Sequence, residues 1–222
     1  MRPRVHSDPE AQGAEMKAFF SMAENRVEFL EELVNLGRYP EALTLCLTYV
    51  DAFAHWLYWP RKGVGENFVE ALGKYEPAPF FALVHPLEVV HALAKLKGPW
   101  KDRAERVESL FPGPDYQLVS REHFAAILEP YFSPRERNEI EEQLWRGTVG
   151  GIAYDMLRNT SVHNFAGNWS VLFENTFLDG KWAGVFGIDR LLPPLKAMVA
   201  AAREISLSSG HWFGKDAIIA AT

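Results

Sequence analysis

The chain has 222 residues, of which 48% are hydrophobic and 23% are charged, a balance typical of a globular protein with a substantial core. A formal net charge of -6 at pH 7 argues against broad, non-specific binding of nucleic acid, which needs a basic surface. Cys46 is the only cysteine, which excludes an intramolecular disulfide and a cysteine-based metal site. The sequence shows no secretory signal at its start and no apolar run long enough to span a bilayer, which predicts a cytoplasmic protein with no membrane partner.

Helical periodicity dominates the first half of the chain. Residues 1–14 are polar and predict a disordered N-terminus, and a helix is expected from about Glu15 to Leu36. The next helix spans residues 38–60 and is apolar on most sides, which predicts a central position in the fold. The pattern then predicts two shorter helices, over residues 67–75 and 87–97.

The following stretch predicts a surface segment and two more helices. Residues 99–119 are interpreted as a surface excursion with one short helix, and residues 120–132 as a helix. Ser133-Pro134-Arg135-Glu136 has the form of a capping box with proline at the first helical position, which marks the start of another helix.

Glycines and one turn signal organise the rest of the chain. Gly147, Gly150 and Gly151 weaken the helix locally and could either divide it or let another helix approach closely, and the pattern resumes over residues 152–163. Asp179-Gly180 stands between aromatic-rich runs and predicts a small β-hairpin near residues 169–187. The helical share is roughly two-thirds, about twice the usual value, which predicts an all-α protein with a single domain over residues 15–222.

The candidate site is Arg158-Asn159-Thr160-Ser161-Val162-His163, at the end of a helical pattern. On an unbroken α-helix, residues five apart diverge by about 140°, so Arg158 and His163 converge only if the helix ends or bulges, or if the arginine reaches around. Arginine binds phosphate oxygens, histidine transfers protons near neutral pH, and the Asn159 amide can hold the imidazole or bond to substrate. Without a metal, this set suffices for attack of an RNA 2′-hydroxyl on its neighbouring phosphate. A symmetric dimer would supply the second histidine.

The same residues also fit a structural interpretation. Cations at a helix C-terminus suit the macrodipole and cap free carbonyl groups, so Arg158 and His163 could form an ordinary polar helix end. Residue spacing leaves both interpretations open.

The motif resembles the R-x(4–6)-H motif of HEPN domains, and "YDMLRNTSVHNF" is similar to the helix that carries it in bacterial HEPN-like proteins. Residues 42–58 are similar to the central helix of those proteins, and the resemblance covers residues 40–165 and a final helix. It implies an up-down helical bundle that dimerises through the motif helices. It also implies metal-independent ribonuclease activity in many members, often in toxin–antitoxin, defence or RNA-processing systems.

Under this resemblance, Arg158 and His163 are catalytic and Asn159 supports them. In the branch paired with antitoxins, a tyrosine that accepts nucleotidyl groups stands two residues after the histidine. Phe165 occupies that position here, so regulation by this modification is not expected.

Four further residues are candidates for substrate binding. Asp51 and His55 share a helix face at a spacing of four, where they could orient an imidazole in a site or form a satisfied core contact. Arg61 and Lys62 form a small basic loop that could touch a phosphate backbone or could be a solvated turn.

Two functional hypotheses follow. The first is an endoribonuclease that leaves 2′,3′-cyclic phosphate and 5′-hydroxyl ends. The second is a non-catalytic HEPN-like domain that binds a nucleotide, an RNA or a protein partner such as an antitoxin. Both predict a homodimer that needs no cofactor or metal. A third reading is a purely structural dimer in which Arg158 and His163 are bonded within their own chain.

Overall fold

The computed structural model describes residues 9–58, 63–77, 79–96, 98–111, 118–158, 177–178, 181–182 and 188–212. These residues are predominantly helical, which confirms the predicted all-α class. The helices are α1 (Pro9–Asn35), α2 (Tyr39–Tyr58), α3 (Val64–Tyr75), α4 (Pro86–Ala94), α5 (Trp100–Ser109), α6 (Arg121–Leu128), α7 (Pro134–Leu144), α8 (Val149–Ile152) and α9 (Ile188–Ser209). The remaining elements are a 3₁₀ turn (Trp145–Gly147), a π-helical turn (Ala153–Arg158) and the strands β1 (Phe177–Leu178) and β2 (Lys181–Trp182).

The chain divides into two compact units. The first comprises Met1–Pro77 together with Gly187–Thr222, and the second comprises Ala78–Phe186. The single domain expected over residues 15–222 stays a prediction. Within the described residues, no helix combines the length and the hydropathy that crossing a membrane would require.

In the first unit, α2 packs against α1, α3 and α9, and α9 also packs against α1 and α3. The side chains that α2 buries lie on several of its faces because three helices surround it. They are Ala42, Leu43, Cys46, Leu47, Val50, Phe53, Ala54, Leu57 and Tyr58. The predicted central position of this helix is therefore confirmed within its unit.

Helix α1 begins at Pro9, not near Glu15 as expected, so the predicted disorder is wrong for residues 9–14. Proline suits the first turn of a helix because its missing N–H has no partner there in any case. The Gln12 amide donates a 3.0 Å hydrogen bond to the Gly210 carbonyl, which ties this early turn to the end of α9. Residues 1–8 lie outside the described part of the chain.

In the second unit, α4 packs against α5, α7 and the 3₁₀ turn. The one short helix predicted within residues 99–119 is α5, and most of its residues are exposed or half-buried, as expected for a surface segment. Ala104 and Val107, however, are buried in the core. Trp100, Leu110 and Phe111 also pack against this core, so one apolar stripe of a mostly charged segment faces inward. The core cluster contains Val84, Val89, Val90, Leu93, Ala104, Val107, Phe124, Leu128, Phe132, Ile140 and Leu144.

The predicted capping box at the start of α7 is confirmed. The Ser133 backbone N–H donates to the Glu136 carboxylate at 2.9 Å, and the Glu136 N–H donates to the Ser133 hydroxyl at 3.4 Å. Arg106 on α5 donates to the same carboxylate at 2.8 Å, which links α5 to α7. The Ser133 backbone N–H, the Ser133 hydroxyl and Arg106 together lower the pKa of Glu136 from 4.5 to about 2.

Strands β1 and β2 pair antiparallel, with Phe177 opposite Trp182 and Leu178 opposite Lys181. Asp179 and Gly180, between the two strands, lie outside the described residues, as does most of the segment 169–187. The β-hairpin predicted for this segment therefore stays a prediction.

Candidate functional site

The helical segment that ends at Arg158 starts at a buried threonine. Thr148 is fully buried, and its hydroxyl accepts a hydrogen bond from the Gly151 N–H at 3.0 Å. The same hydroxyl donates to the Trp145 carbonyl at 2.7 Å. Thr148 therefore caps the start of α8 and also closes the 3₁₀ turn before it, because one side-chain oxygen serves both backbone groups.

The backbone around Thr148 is also fixed by the segment before α4. Val84 forms bridge pairs with both Thr148 and Val119. Three backbone hydrogen bonds extend this contact: Val149 to Leu83 at 2.9 Å, Gly150 to Phe81 at 2.9 Å, and His85 to Gly147 at 2.8 Å. These bonds satisfy backbone groups that a helix start leaves without intrahelical partners.

Close packing requires glycine at two of the three positions predicted to weaken the helix, Gly147 and Gly151. A Cβ atom at Gly147 would lie 2.7 Å from the backbone nitrogen of Val89 on α4. A Cβ atom at Gly151 would overlap the Trp145 carbonyl oxygen and lie 2.9 Å from that of Arg146. Because these neighbours are backbone atoms, neither position can hold a larger residue without moving the chain.

The segment Ala153–Arg158 is π-helical. In a π-helix the hydrogen bonds join residues five apart, and short π-helical turns occur frequently at functional sites. Arg158 and His163 are also five residues apart, which is the spacing that one π-helical hydrogen bond spans. Asn159, His163 and the side chain of Arg158 lie outside the described residues, and the predicted constellation stays a prediction.

The secondary candidates are described only in part. Asp51 and His55 lie one turn apart on α2, both half-buried, with the Asp51 Oδ1 and His55 Nδ1 atoms excluded from solvent. The neighbouring Trp56 is 38% exposed and contacts Phe53 edge to face, with ring centroids 6.1 Å apart. Arg61 and Lys62 lie outside the described residues.

His85 has a structural role that its sequence position did not reveal. It is 2% exposed and caps α4, where its Nδ1 accepts a hydrogen bond from the Glu88 N–H at 3.3 Å. Burial lowers the pKa of His85, although the nearby Glu88 carboxylate opposes this shift. A neutral imidazole is needed for this bond, since a protonated Nδ1 cannot accept. The only sequence signal was a histidine directly before Pro86.

A groove of about 320 Å³ lies between α6 and α7, lined by Ala125, Leu128, Pro134, Arg137, Asn138 and Glu141. No predicted site residue is among the described residues that line this groove. Arg137 forms an ion pair with Glu129 at 3.5 Å. Across the part of the chain that the structure describes, no three His, Cys, Asp or Glu side chains come together as metal ligands.

Comparison with known proteins adds no assignment, because no protein-family model, no curated protein and no solved structure matches this chain. The described residues therefore define the protein by its architecture. Its helices form two compact units, and in the second unit α8, which Thr148 caps, leads through the π-helical turn to Arg158.

Proposed function

We propose that the protein is a metal-independent endoribonuclease of the HEPN type, in which Arg158 and His163 of two subunits act across a twofold axis. The observation that carries the proposal is the π-helical turn that ends at Arg158. π-helical hydrogen bonds join residues five apart, which is the spacing of Arg158 and His163, whereas α-helical winding separates such residues by about 140°. The predominantly helical chain is consistent with the implied bundle.

The chemistry divides between two imidazoles and two guanidinium groups. One neutral His163 accepts the proton of the RNA 2′-hydroxyl as its oxygen attacks the adjacent phosphorus. The bond to the 5′-oxygen breaks, and that oxygen takes a proton from the protonated His163 of the partner subunit. Arg158 binds the non-bridging phosphate oxygens and stabilises the extra negative charge of the transition state. The products are a 2′,3′-cyclic phosphate and a 5′-hydroxyl.

The remaining candidates have supporting roles in this proposal. The Asn159 amide hydrogen-bonds the His163 imidazole and holds one tautomer. Asp51, His55, Arg61 and Lys62 stay candidates for RNA contacts of the first unit, where the two basic residues supply local positive charge on a chain whose formal net charge is -6.

The test is cleavage of single-stranded and stem-loop RNAs by the purified protein in the presence of EDTA. We expect EDTA-resistant cleavage with cyclic-phosphate ends, reduced at least about 100-fold in His163→Ala and in Arg158→Ala, a typical loss for a general base or a phosphate-stabilising group. His211→Ala is the matched control, because His211 is exposed just beyond α9. This variant should cleave RNA as the unsubstituted chain does. Circular dichroism verifies that each variant is folded.

The acidic balance of the chain favours a second candidate, a HEPN-like domain that binds a nucleotide, an RNA or a protein partner without cleaving. Calorimetry with nucleotides and short RNAs separates the two. Binding weakened by Arg158→Ala, with every RNA left intact, would support the binding domain and contradict the ribonuclease. Equal cleavage by His163→Ala and the unsubstituted chain would also contradict the proposed mechanism.

A further inference from the structure

Helix α1 carries two apolar rows at coiled-coil spacing. The first row is buried within its unit and consists of Met16, Phe20, Ala23, Val27 and Leu30. Its members alternate in steps of four and three, the heptad spacing by which helices pack on one another. This row accounts for the packing of α1 against α2 and α9.

The second row, here called the outer seam, consists of Phe19, Met22, Arg26, Phe29, Leu33 and Leu36. Its steps are three and four throughout, so it follows the same heptad period. At 100° per residue its centre lies about 110° around the helix from the buried row. Leu36 follows the last residue of α1 and continues its hydrogen bonding, since its N–H donates to the Glu32 carbonyl at 2.9 Å.

The outer seam is substantially exposed. Met22 is 45% exposed, Phe29 48% and Leu36 73%. Phe19 and Leu33 are half-buried, and Arg26 is exposed. Isolated apolar residues on a surface are ordinary, but large apolar side chains that recur at heptad spacing indicate a surface suited to another helix.

Two ion pairs join α9 to the side of α1 away from the outer seam. Glu24 and Glu31 of α1 bond to Arg203 and Lys196 of α9, at 2.8 Å and 2.6 Å. On a helical wheel these two glutamates lie on the opposite side of the buried row from the outer seam. The acidic flank of α1 is thus engaged with α9. At one end of the outer seam, Phe19 contacts Trp212 edge to face, with ring centroids 5.6 Å apart. The seam positions that remain exposed, and that a partner helix could cover, are Met22, Arg26, Phe29 and Leu36.

The geometry points to a second copy of this chain as that partner, with the two outer seams packed antiparallel. In a parallel pair, each residue meets its own counterpart, so Arg26 would face Arg26 and two like charges would oppose each other across the seam. In the antiparallel pair, Arg26 faces Phe29, Met22 faces Leu33 and Phe19 faces Leu36. Each apolar residue then meets an apolar residue or an arginine, and the guanidinium gains a cation–π contact.

The flanking residues fit the same arrangement. Asn25 and Glu32 border the outer seam, and in the antiparallel pair Glu32 of one copy lies within about one turn of Arg26 of the other. The two Glu32 carboxylates are then far apart, whereas a parallel pair would bring them together. An interface of six seam residues a side is small compared with the roughly 800 Å² per partner of a standard complex, so this dimer should be concentration-dependent.

Engineered cysteines test the pairing directly. Met22 and Leu33 lie about 16 Å apart along one helix, so cysteines at these positions cannot join within a chain, because a disulfide needs Cα atoms within about 7 Å. We expect a mixture of the single variants Met22→Cys and Leu33→Cys to form a mixed disulfide dimer under mild oxidation. Each variant alone should stay largely unlinked. The native Cys46 is buried and burial raises the pKa of its thiol, so it provides an unreactive background.

Met22→Glu/Phe29→Glu provides a second measurement, because it places carboxylates in the outer seam at exposed positions that the fold does not need. Analytical ultracentrifugation should show that this variant loses one association step that the unsubstituted chain shows, with unchanged circular dichroism. Efficient self-linking of Met22→Cys would show a parallel pair and overturn the proposal. Absence of the mixed dimer, with identical sedimentation of the unsubstituted and glutamate chains, would show that no second copy binds the seam. Both measurements are made without RNA, so neither depends on whether the protein is a ribonuclease.

Discussion

The Thr148 hydroxyl lies 3.0 Å from the backbone nitrogen of Gly151 and 2.7 Å from the Trp145 carbonyl oxygen, and Thr148 is completely buried. One hydroxyl thus ends a 3₁₀ turn and begins the helix that leads to Arg158. A buried hydroxyl with a donor and an acceptor in place is costly to remove, since both backbone groups lose a partner together. The position of Arg158 in the second unit therefore depends on contacts made ten residues earlier in the chain.

Thr148→Val should destabilise the protein by about 1–3 kcal/mol, because valine has nearly the same shape but leaves the Gly151 N–H and the Trp145 carbonyl without the hydroxyl. Thr148→Ser keeps the hydroxyl and loses only a methyl group, so it should cost less than Thr148→Val. Urea unfolding of the three proteins measures the difference. Equal losses in the two variants would mean that the methyl group, and not the hydroxyl, matters at this position.

Gly151→Ala should lower the free energy of unfolding by about 1–3 kcal/mol, because the added methyl group would overlap the carbonyl oxygen of Trp145. The matched control is Gly13→Ala in α1, where a Cβ would meet nothing within 4 Å. This control should be neutral or stabilising by up to about 1 kcal/mol, since alanine is the better helix former. Thermal unfolding of both variants gives the comparison, and a stable Gly151→Ala protein would contradict the packing argument.

The His85 cap should make stability depend on pH near neutrality. Burial lowers the folded-state pKa of His85 below the ordinary histidine value of 6.5, so the unfolded chain binds the proton more readily. The stabilisation is present above 6.5 and is lost as the pH falls through the lower, folded-state pKa. His85→Asn keeps an acceptor at the cap but does not titrate, so its urea midpoint should vary less between pH 7.5 and 5 than that of the unsubstituted chain. If the urea midpoints of the two proteins changed equally with pH, His85 would be excluded as the source of the pH dependence.

The capping box of α7 predicts a second dependence of stability on pH, in a more acidic range. The pKa of Glu136 is lowered from 4.5 to about 2, so its contribution is present above 4.5 and is lost as the pH falls toward 2. Glu136→Gln should flatten the loss of stability in that range, and Ser133→Ala should cost about 1 kcal/mol at neutral pH through loss of the cap. Glu28→Gln, exposed on α1, is the control and should leave the acid dependence unchanged. The measurement is the urea midpoint as a function of pH.

The features predicted correctly from sequence are those encoded by neighbouring residues. The capping box needs only Ser133, Pro134 and Glu136, and the apolar character of α2 on most of its faces is visible in twenty consecutive residues. The division of the helix near Gly147 was expected for the same reason. The features that the sequence did not predict are set by contacts between residues that are distant along the chain. Gln12 is helical in an early turn bonded to Gly210, and Ala104 and Val107 of the mostly exposed α5 are buried in the core.

The candidate residues divide in the same way. The spacing of Asp51 and His55 placed them on one face of a helix, as α2 has them, because helical geometry alone sets that relationship. The π-helical turn before Arg158 had no sequence signature, since it differs from an α-helix by the span of its hydrogen bonds and not by composition.

The amino-acid sequence by itself determined the helical class, the capped start of α7 and the heptad spacing on α1, because periodicity and capping act over a few residues. Only the tertiary structure decided which heptad row is buried and which is exposed, and that Gly147 and Gly151 are required by the approach of other backbone. The physical reason is that burial and close approach are properties of two surfaces in contact, and a single stretch of chain specifies only one of them.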